Sequence, residues 1–463
     1  MKPFFLLFTL AILGNTLIAQ ANTCTCAENF DRLTEKLEAN YIAYHLTKAE
    51  ITTAYEARKK QYKPLSTQTP LPDCAKLLQQ FLAFFKDGHL FVSEIPKLPE
   101  TALAQTKAEI KARKVALSQV SPGNKVNIEG YWTDGTSKFA ILKNKNPQIR
   151  HSHVAVIIAA QDSTKVGEVK LAVSLANGLW EGVYYTNAYA PRYVKITPYK
   201  DNTILSVWGG ITWGKLADER TVMYAPTLPS VKKMDEQTVL LTIPSFLIEK
   251  KDFDQVLMSH FKDLTEAEYL IIDIRGNSGG NGIYFDLLSL YYEKPALSGR
   301  GFAISSVDNL NYFKKFASTR SNDPYRPVVE AMEAEQGKIV PGPMFSPLEL
   351  KPLASKLKKV VILTDRGNMS AAETFVLYSK GISSKVITMG ENTGGVVDYN
   401  NINMVSLGCE TQGIYFGYPT YSLNETVHLG KGYNKTGIVP DVPIGKKAKD
   451  KVGFVIAHLK KLY

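Results

Sequence analysis

Beyond its N-terminal leader the chain has no apolar run long enough to cross a bilayer, so no membrane span is expected once the leader is gone. Cysteine is scarce, and Cys24, Cys26, Cys74 and Cys409 are all there is. No histidine stands at ligand spacing from Cys24 and Cys26, which argues against a metal site there. Nucleotide-binding signatures are missing as well. Arg275-Gly-Asn-Ser-Gly-Gly280 places glycines after an apolar run, but in neither the G-x-G-x-x-G order nor with the Lys-Ser/Thr of a P-loop. The net charge of +11 is spread over many lysines, with no sustained basic run interleaved with aromatics. Nucleic acid is therefore not an expected partner, and a solvated basic surface with at most a mild preference for acidic partners or peptide carboxylates is the simpler reading. There is no internal repeat and no long low-complexity linker. No metal or organic cofactor is expected.

What is present reads as an ordinary globular chain, 44% hydrophobic and 21% charged. Its 463 residues allow roughly two to four domains with ample core. Met1-Lys2, an apolar segment to Leu13 and Ala19-Gln20-Ala21 have the order of a signal peptide over 1–21. The mature chain is expected to begin near Asn22 and to be exported, to a periplasm or outside the cell, where disulfides form. Cys24 and Cys26 are too close to pair with each other, and one of them is expected to join Cys74.

Phe30, Leu33, Leu37 and Tyr41 recur at helical spacing and predict a helix over 26–63. A second helix is expected from Asp73 to Phe85, with Gly88 ending it and His89 on the turn before a short strand, Leu90 to Val92. A charged amphipathic helix over 98–117 completes an N-terminal helical region, 22–120. From 124 to 230 the texture changes to strands separated by turns, and an all-β domain of sandwich or barrel type is expected, with Trp132, Trp180, Trp208 and Trp213 in its core. Strands and helices then alternate over 236–463. Thr238 to Ile243 and Glu268 to Ile274 are buried strands, Phe253 to Leu264 and Ile283 to Tyr292 are helices, and 294–356 is a long excursion with a helix at 327–336. The fold class is thus α+β and multidomain, with an α/β core, an N-terminal helical region and an inserted all-β domain.

One stretch of that core carries the chemistry. Val360 to Leu363 is a short apolar strand, Thr364 to Asn368 a tight loop, and Ser370 opens a helix. Ser370 could be a helix cap, with Glu373 completing a capping box. The sharper reading is a nucleophile, with an oxyanion held by the N–H of Ala371 and by backbone N–H groups of the glycine loop after the second strand. His89, near a helix end, could interact with the helix dipole or serve as a base.

Taken in order, Ile271-Ile-Asp-Ile-Arg-Gly-Asn-Ser-Gly-Gly280, Ser370-Ala-Ala-Glu373, Gly390-Glu-Asn-Thr-Gly-Gly395 and Gly437-Ile-Val-Pro-Asp441 resemble the core of the C-terminal processing (tail-specific) serine peptidases and their tricorn-like relatives, over about 236–445. The resemblance implies a crotonase-like core, Ser370 as nucleophile, and oxyanion donors at Ala371 and in Gly279-Gly280. The lysine of the Ser-Lys branch is replaced by Val396, which cannot take a proton. The tricorn-like branch uses a histidine in a motif similar to Asp87-Gly-His89, which makes His89 the expected general base, with His428 its rival. That branch also implies a downstream glutamate, for which Glu425 is the expected residue, while Glu373 is read as a capping residue and Glu391 as packing in its loop. No PDZ-type carboxylate loop is recognisable in 124–230. The expected function is a serine-type endopeptidase acting on peptide or protein substrates. The alternative is an inactive homologue that binds peptide or glycan.

Overall fold

The structure, a computed structural model, describes residues 24–462 apart from 124–125, 208–210, 297–298, 319–322, 346, 410–412, 435, 446–447 and 449. The expected leader over 1–21, and Trp208, lie outside the described residues.

Three helices open the chain: α1 (Cys26–Asn40), α2 (Ile42–Gln68) and α3 (Cys74–Leu82). Their apolar stripes meet in one cluster that includes Phe30, Leu33, Leu37, Leu78 and Phe81. The single helix expected over 26–63 is therefore two. The chain is extended at Tyr41 (φ −82°, ψ 110°), and the turn carries the Tyr41 hydroxyl onto Asp87, 2.7 Å away. After α3 the helical run ends at Lys86, in the left-handed region (φ 52°), and not at Gly88. The chain continues into β1 (Phe91–Glu94) and α4 (Glu100–Ala112).

Eight antiparallel strands form a closed barrel within the stretch expected to be all-β: β2 (Gly130–Thr133), β3 (Ser137–Lys143), β4 (His153–Ala160), β5 (Val169–Ala176), β6 (Leu179–Tyr185), β7 (Pro191–Tyr199), β8 (Ile204–Val207) and β9 (Ile211–Leu216). Alternate side chains fill it, with Phe139 stacked on Trp213 at 4.2 Å and Trp132 fully buried. Strand β7 escaped the sequence reading because it carries Pro191 and Pro198, residues that argue against a strand.

The rest supplies β10 (Ser230–Lys233), β11 (Thr238–Thr242), α5 (Lys250–Ser259), α6 (Phe261–Glu266), β12 (Tyr269–Asp273), α7 (Phe285–Leu288), β13 (Gly299–Ile304), α8 (Val307–Phe316), α9 (Arg326–Ala334), β14 (Ile339–Phe345), β15 (Lys359–Thr364), α10 (Ala371–Ile382), β16 (Val386–Gly390), β17 (Tyr399–Ser406), β18 (Ile414–Ser422), β19 (Val442–Pro443) and α11 (Lys451–Leu462). The main sheet runs β10-β11-β12-β15-β16-β19 and is parallel from β11 onward. Strands β12 and β15 are buried on both faces, as unbroken apolar runs require. Their register, Ile271 opposite Val361, sets their carboxyl ends side by side, where ligands sit in open parallel sheets.

One expectation is corrected here. The helix over Ile283 to Tyr292 is α only in α7, and the chain then bonds i to i−3 through Tyr291. The excursion over 294–356 holds β13, α8, α9 and β14, with α9 at the place of the expected helix. A second sheet, β1-β18-β13-β14 with β17 on β18, draws β1 into the C-terminal part, with Phe91 opposite Gly417. Cys26 pairs with Cys74, and Cys24 with Cys409 on the β17–β18 hairpin.

Candidate active site

Ser370 stands where β15 gives way to α10, and its backbone is strained (φ 52°, ψ −120°). A residue with a Cβ holds such angles only when its surroundings over-determine them, at a cost of about 1–3 kcal/mol. Here its N–H donates to the Val396 carbonyl at 3.1 Å and lies 3.3 Å from Glu373 Oε2. The next N–H, of Ala371, has no acceptor among the described residues, as expected in the first turn of a helix.

The glycine loop after β12 comes directly against this serine. A Cβ on Gly279 (φ 98°) would lie 2.7 Å from the Met369 carbonyl oxygen, 3.0 Å from Ala371 N and 3.1 Å from Ser370 Cβ. Only a bare Cα fits. The Gly279 N–H is used by Asn277 Oδ1 at 2.9 Å, whereas that of Gly280 has no acceptor among the described residues. Ala371 and Gly280 therefore keep free N–H groups on the two segments that meet at Ser370, the requirement for holding an oxyanion. Two asparagines that the sequence reading passed over lock the loops together. Asn277 Nδ2 donates to the Ile243 carbonyl at 3.1 Å. Asn368 Nδ2 donates to the Ile274 carbonyl, and its Oδ1 accepts from Asp365 N at 2.8 Å. Both are fully buried. The signal was available: Arg-Gly-Asn follows β12 and recurs after β15.

His89, from the N-terminal part, meets the segment after Gly395 to which the Ser370 N–H also bonds. Its Nδ1 lies 2.5 Å from the Tyr399 carbonyl, which requires the proton on Nδ1 and leaves Nε2 as the basic nitrogen. Asp87 Oδ1 accepts the His89 N–H at 2.9 Å, and Asp87 Oδ2 takes the Tyr41 hydroxyl. Burial lowers the His89 pKa below its ordinary 6.5, although Asp87 and the Tyr399 carbonyl oppose the shift. Gly88 explains the close approach, since a Cβ there would meet Val396 Cγ2 at 2.7 Å. The segment Val396–Tyr399 thus contacts Ser370, Gly88 and His89. Valine at 396 forms the apolar surface on which the histidine turn packs.

Glu373 is more than a cap. It is fully buried and accepts from Thr393 Oγ1, from Gly395 N at 2.9 Å and from Val396 N at 2.6 Å, besides Ser370. Burial raises its pKa and these donors pull it down, with burial the larger. Glu425 is exposed on the turn after β18 and makes no hydrogen bond to His89, whose Nδ1 is occupied by a backbone carbonyl. The structure thus does not bring Glu425 to His89, and sequence cannot announce a main-chain partner such as the Tyr399 carbonyl. His428 packs near Phe302 at 6.2 Å between rings, with its Nδ1 buried and without a hydrogen-bond partner among the described residues. Glu391 lies 3.6 Å from Lys451.

The tip of the β7–β8 hairpin braces both loops from below. Asp365 accepts N–H groups from Gly276 (2.9 Å), Gly367 (2.8 Å) and Lys200 (3.0 Å). Lys200 Nζ lies 3.1 Å from Asp273, and Asp201 bonds Arg275 at 2.9 Å. Burial raises the Asp365 pKa against these N–H donors. In Asp273, Lys200 and Arg275 outweigh burial and lower it.

Residues 237–444 match the sequence model of peptidase family S41. This part of the chain belongs to peptidase family S41. The S41 region holds Ser370, Ala371 and the glycine loop and supports a serine peptidase, while His89 lies outside it. No curated protein sequence matches the chain significantly. Among solved structures it is similar to a proposed peptidase from Parabacteroides merdae ATCC 43184, at 16% identity over 95% of this chain and 98% of that one, TM-score 0.42. The photosystem II D1 C-terminal processing protease is 13% identical over 91% and 93%, TM-score 0.38. Mature CPAF is 12% identical over 90% and 92%, TM-score 0.44.

Proposed function

We propose that the protein is an exported serine endopeptidase with a crotonase-like core, in which Ser370 attacks a peptide carbonyl and His89 Nε2 takes its proton. The hydroxyl oxygen bonds to the carbonyl carbon. The resulting oxyanion is held by the N–H groups of Ala371 and Gly280, and collapse expels the amine, which leaves with the proton from His89. Water, deprotonated by the same nitrogen, then cleaves the acyl-enzyme and returns the serine. The observation that carries this reading is the bond from His89 Nδ1 to the Tyr399 carbonyl. It fixes the base tautomer within a segment that also holds the nucleophile. The strained Ser370 backbone supports it, because a plain helix cap has no need of such angles. Export is supported by the leader-like start and by disulfide pairing of all four cysteines.

A fluorophosphonate probe tests the nucleophile directly. It should modify Ser370 in the mature wild-type protein and leave Ser370→Ala unlabelled. Absence of labelling in the wild type, with no turnover of mixed peptides, would favour the inactive-homologue alternative.

A further inference from the structure

At the end of the barrel away from the active site, a cavity of about 230 Å³ opens beneath Ile110 of α4. Strand β7 spans the separation: the loop before it borders the cavity, and its far end is the tip that braces the catalytic loops. Its nine residues put the two about 25 Å apart. Phe139, Ile157 and the ring of Tyr184 form an apolar patch in an otherwise largely polar lining. On β5, between apolar neighbours, stands Lys170, only 8% exposed. Its Nζ donates to Asn187 Oδ1 at 2.9 Å and lies 4.7 Å from the Tyr184 ring centre. Among the described residues no carboxylate is within ion-pair distance of it.

Acids also line the cavity, and each has donors other than Lys170. Asp134 Oδ1 takes two donors from Thr136 and the N–H of Ser137. Asp162 Oδ1 takes two from Thr164. Glu168 is reached by the Tyr189 hydroxyl at 3.3 Å and by Lys114 at 4.0 Å. Burial, with Lys165 adding to it, lowers the Lys170 pKa to about 8 against the pull of Asp134 and Glu168. A buried ammonium whose hydrogen-bond partner among the described residues is a neutral amide is unfavourable, and an anion seated beside it offsets that cost.

We infer that this cavity is a binding site for a small organic carboxylate, with the carboxylate on Lys170 Nζ and an apolar body against Phe139, Ile157 and Tyr184. The site is remote from Ser370, so its occupant is a ligand of the barrel and not a substrate bound for cleavage.

Calorimetric titration of the mature protein at neutral pH tests this, using 3-phenylpropionate, octanoate and indole-3-acetate beside 3-phenylpropanamide. At least one acid should bind, and the neutral amide should bind roughly 10- to 100-fold more weakly than 3-phenylpropionate or not at all, the range for losing a charged hydrogen bond. Lys170→Met, shown folded by its thermal transition, should lose acid binding by a similar factor. Ser370→Ala should bind as the wild type does. No heat from any acid would overturn the proposal, as would equal binding of 3-phenylpropionate and its amide. The comparison of acid with amide needs no variant, so a misfolded Lys170→Met leaves the test intact.

Discussion

For His89, burial rather than its neighbour Asp87 decides the charge. With its pKa below 6.5, the imidazole is neutral at pH 7 and ready to accept a proton. Protonation abolishes the base, so kcat/KM should rise with pH through a transition below 6.5 and stay high above it. A pH–rate profile with its acid limb above 7 would contradict this. The pair Gly88 and Val396 offers a second test. A Cβ at 88 collides with Val396 Cγ2, so Gly88→Ala should push the histidine turn off its seat and lower kcat at least tenfold, as small misplacements of catalytic groups do. Val396→Ala added to Gly88→Ala should restore part of the loss, and additive losses in the double variant would show that the contact is not what matters. Ser370 and His89 were legible as candidates because each stands in a short motif of chemically distinctive residues. The Tyr399 carbonyl was not, because any residue supplies one. Glu373 was visible only as the fourth residue of a capping box, since its acceptor role toward Gly395 and Val396 depends on a loop distant in sequence.

Among the elements, the β7–β8 tip ties the barrel to the loops of the candidate site. Asp365 joins that tip to the loops after β12 and β15 through three N–H groups. Asp365→Ala leaves those donors without their acceptor, at about 1–3 kcal/mol for each one left buried and unsatisfied. The variant should show a lower thermal midpoint and slower fluorophosphonate labelling of Ser370. Labelling at the wild-type rate would mean that the tip holds the barrel in place without positioning the nucleophile. Strands β12 and β15 were legible as unbroken apolar runs, and α10 as a helical period after a polar loop. Strand β7 was hidden by its prolines, and the break between α1 and α2 by a periodicity that runs through Tyr41 without interruption. In the latter case a tertiary bond to Asp87 overrides the local pattern.

Across the whole molecule, the proposed base and nucleophile come from opposite ends of the chain. The helical part is held to the C-terminal part by the pairing of β1 with β18 and by the Cys24–Cys409 disulfide, which closes a separation of 385 residues. Removing that crosslink with Cys24→Ser and Cys409→Ser together should cost about 2–5 kcal/mol of stability. The double variant should lose activity on heating before wild type does, and equal thermal inactivation curves would refute the tether. No helix among the described residues is long and apolar enough to cross a membrane. The most direct test of the account is the hydrolysis of a mixed peptide pool by the mature wild-type protein beside Ser370→Ala and His89→Ala. The account predicts that the wild type cleaves and that each variant falls by several orders of magnitude, because nucleophile and base act as one unit. Cleavage by His89→Ala at anything near the wild-type rate would contradict it.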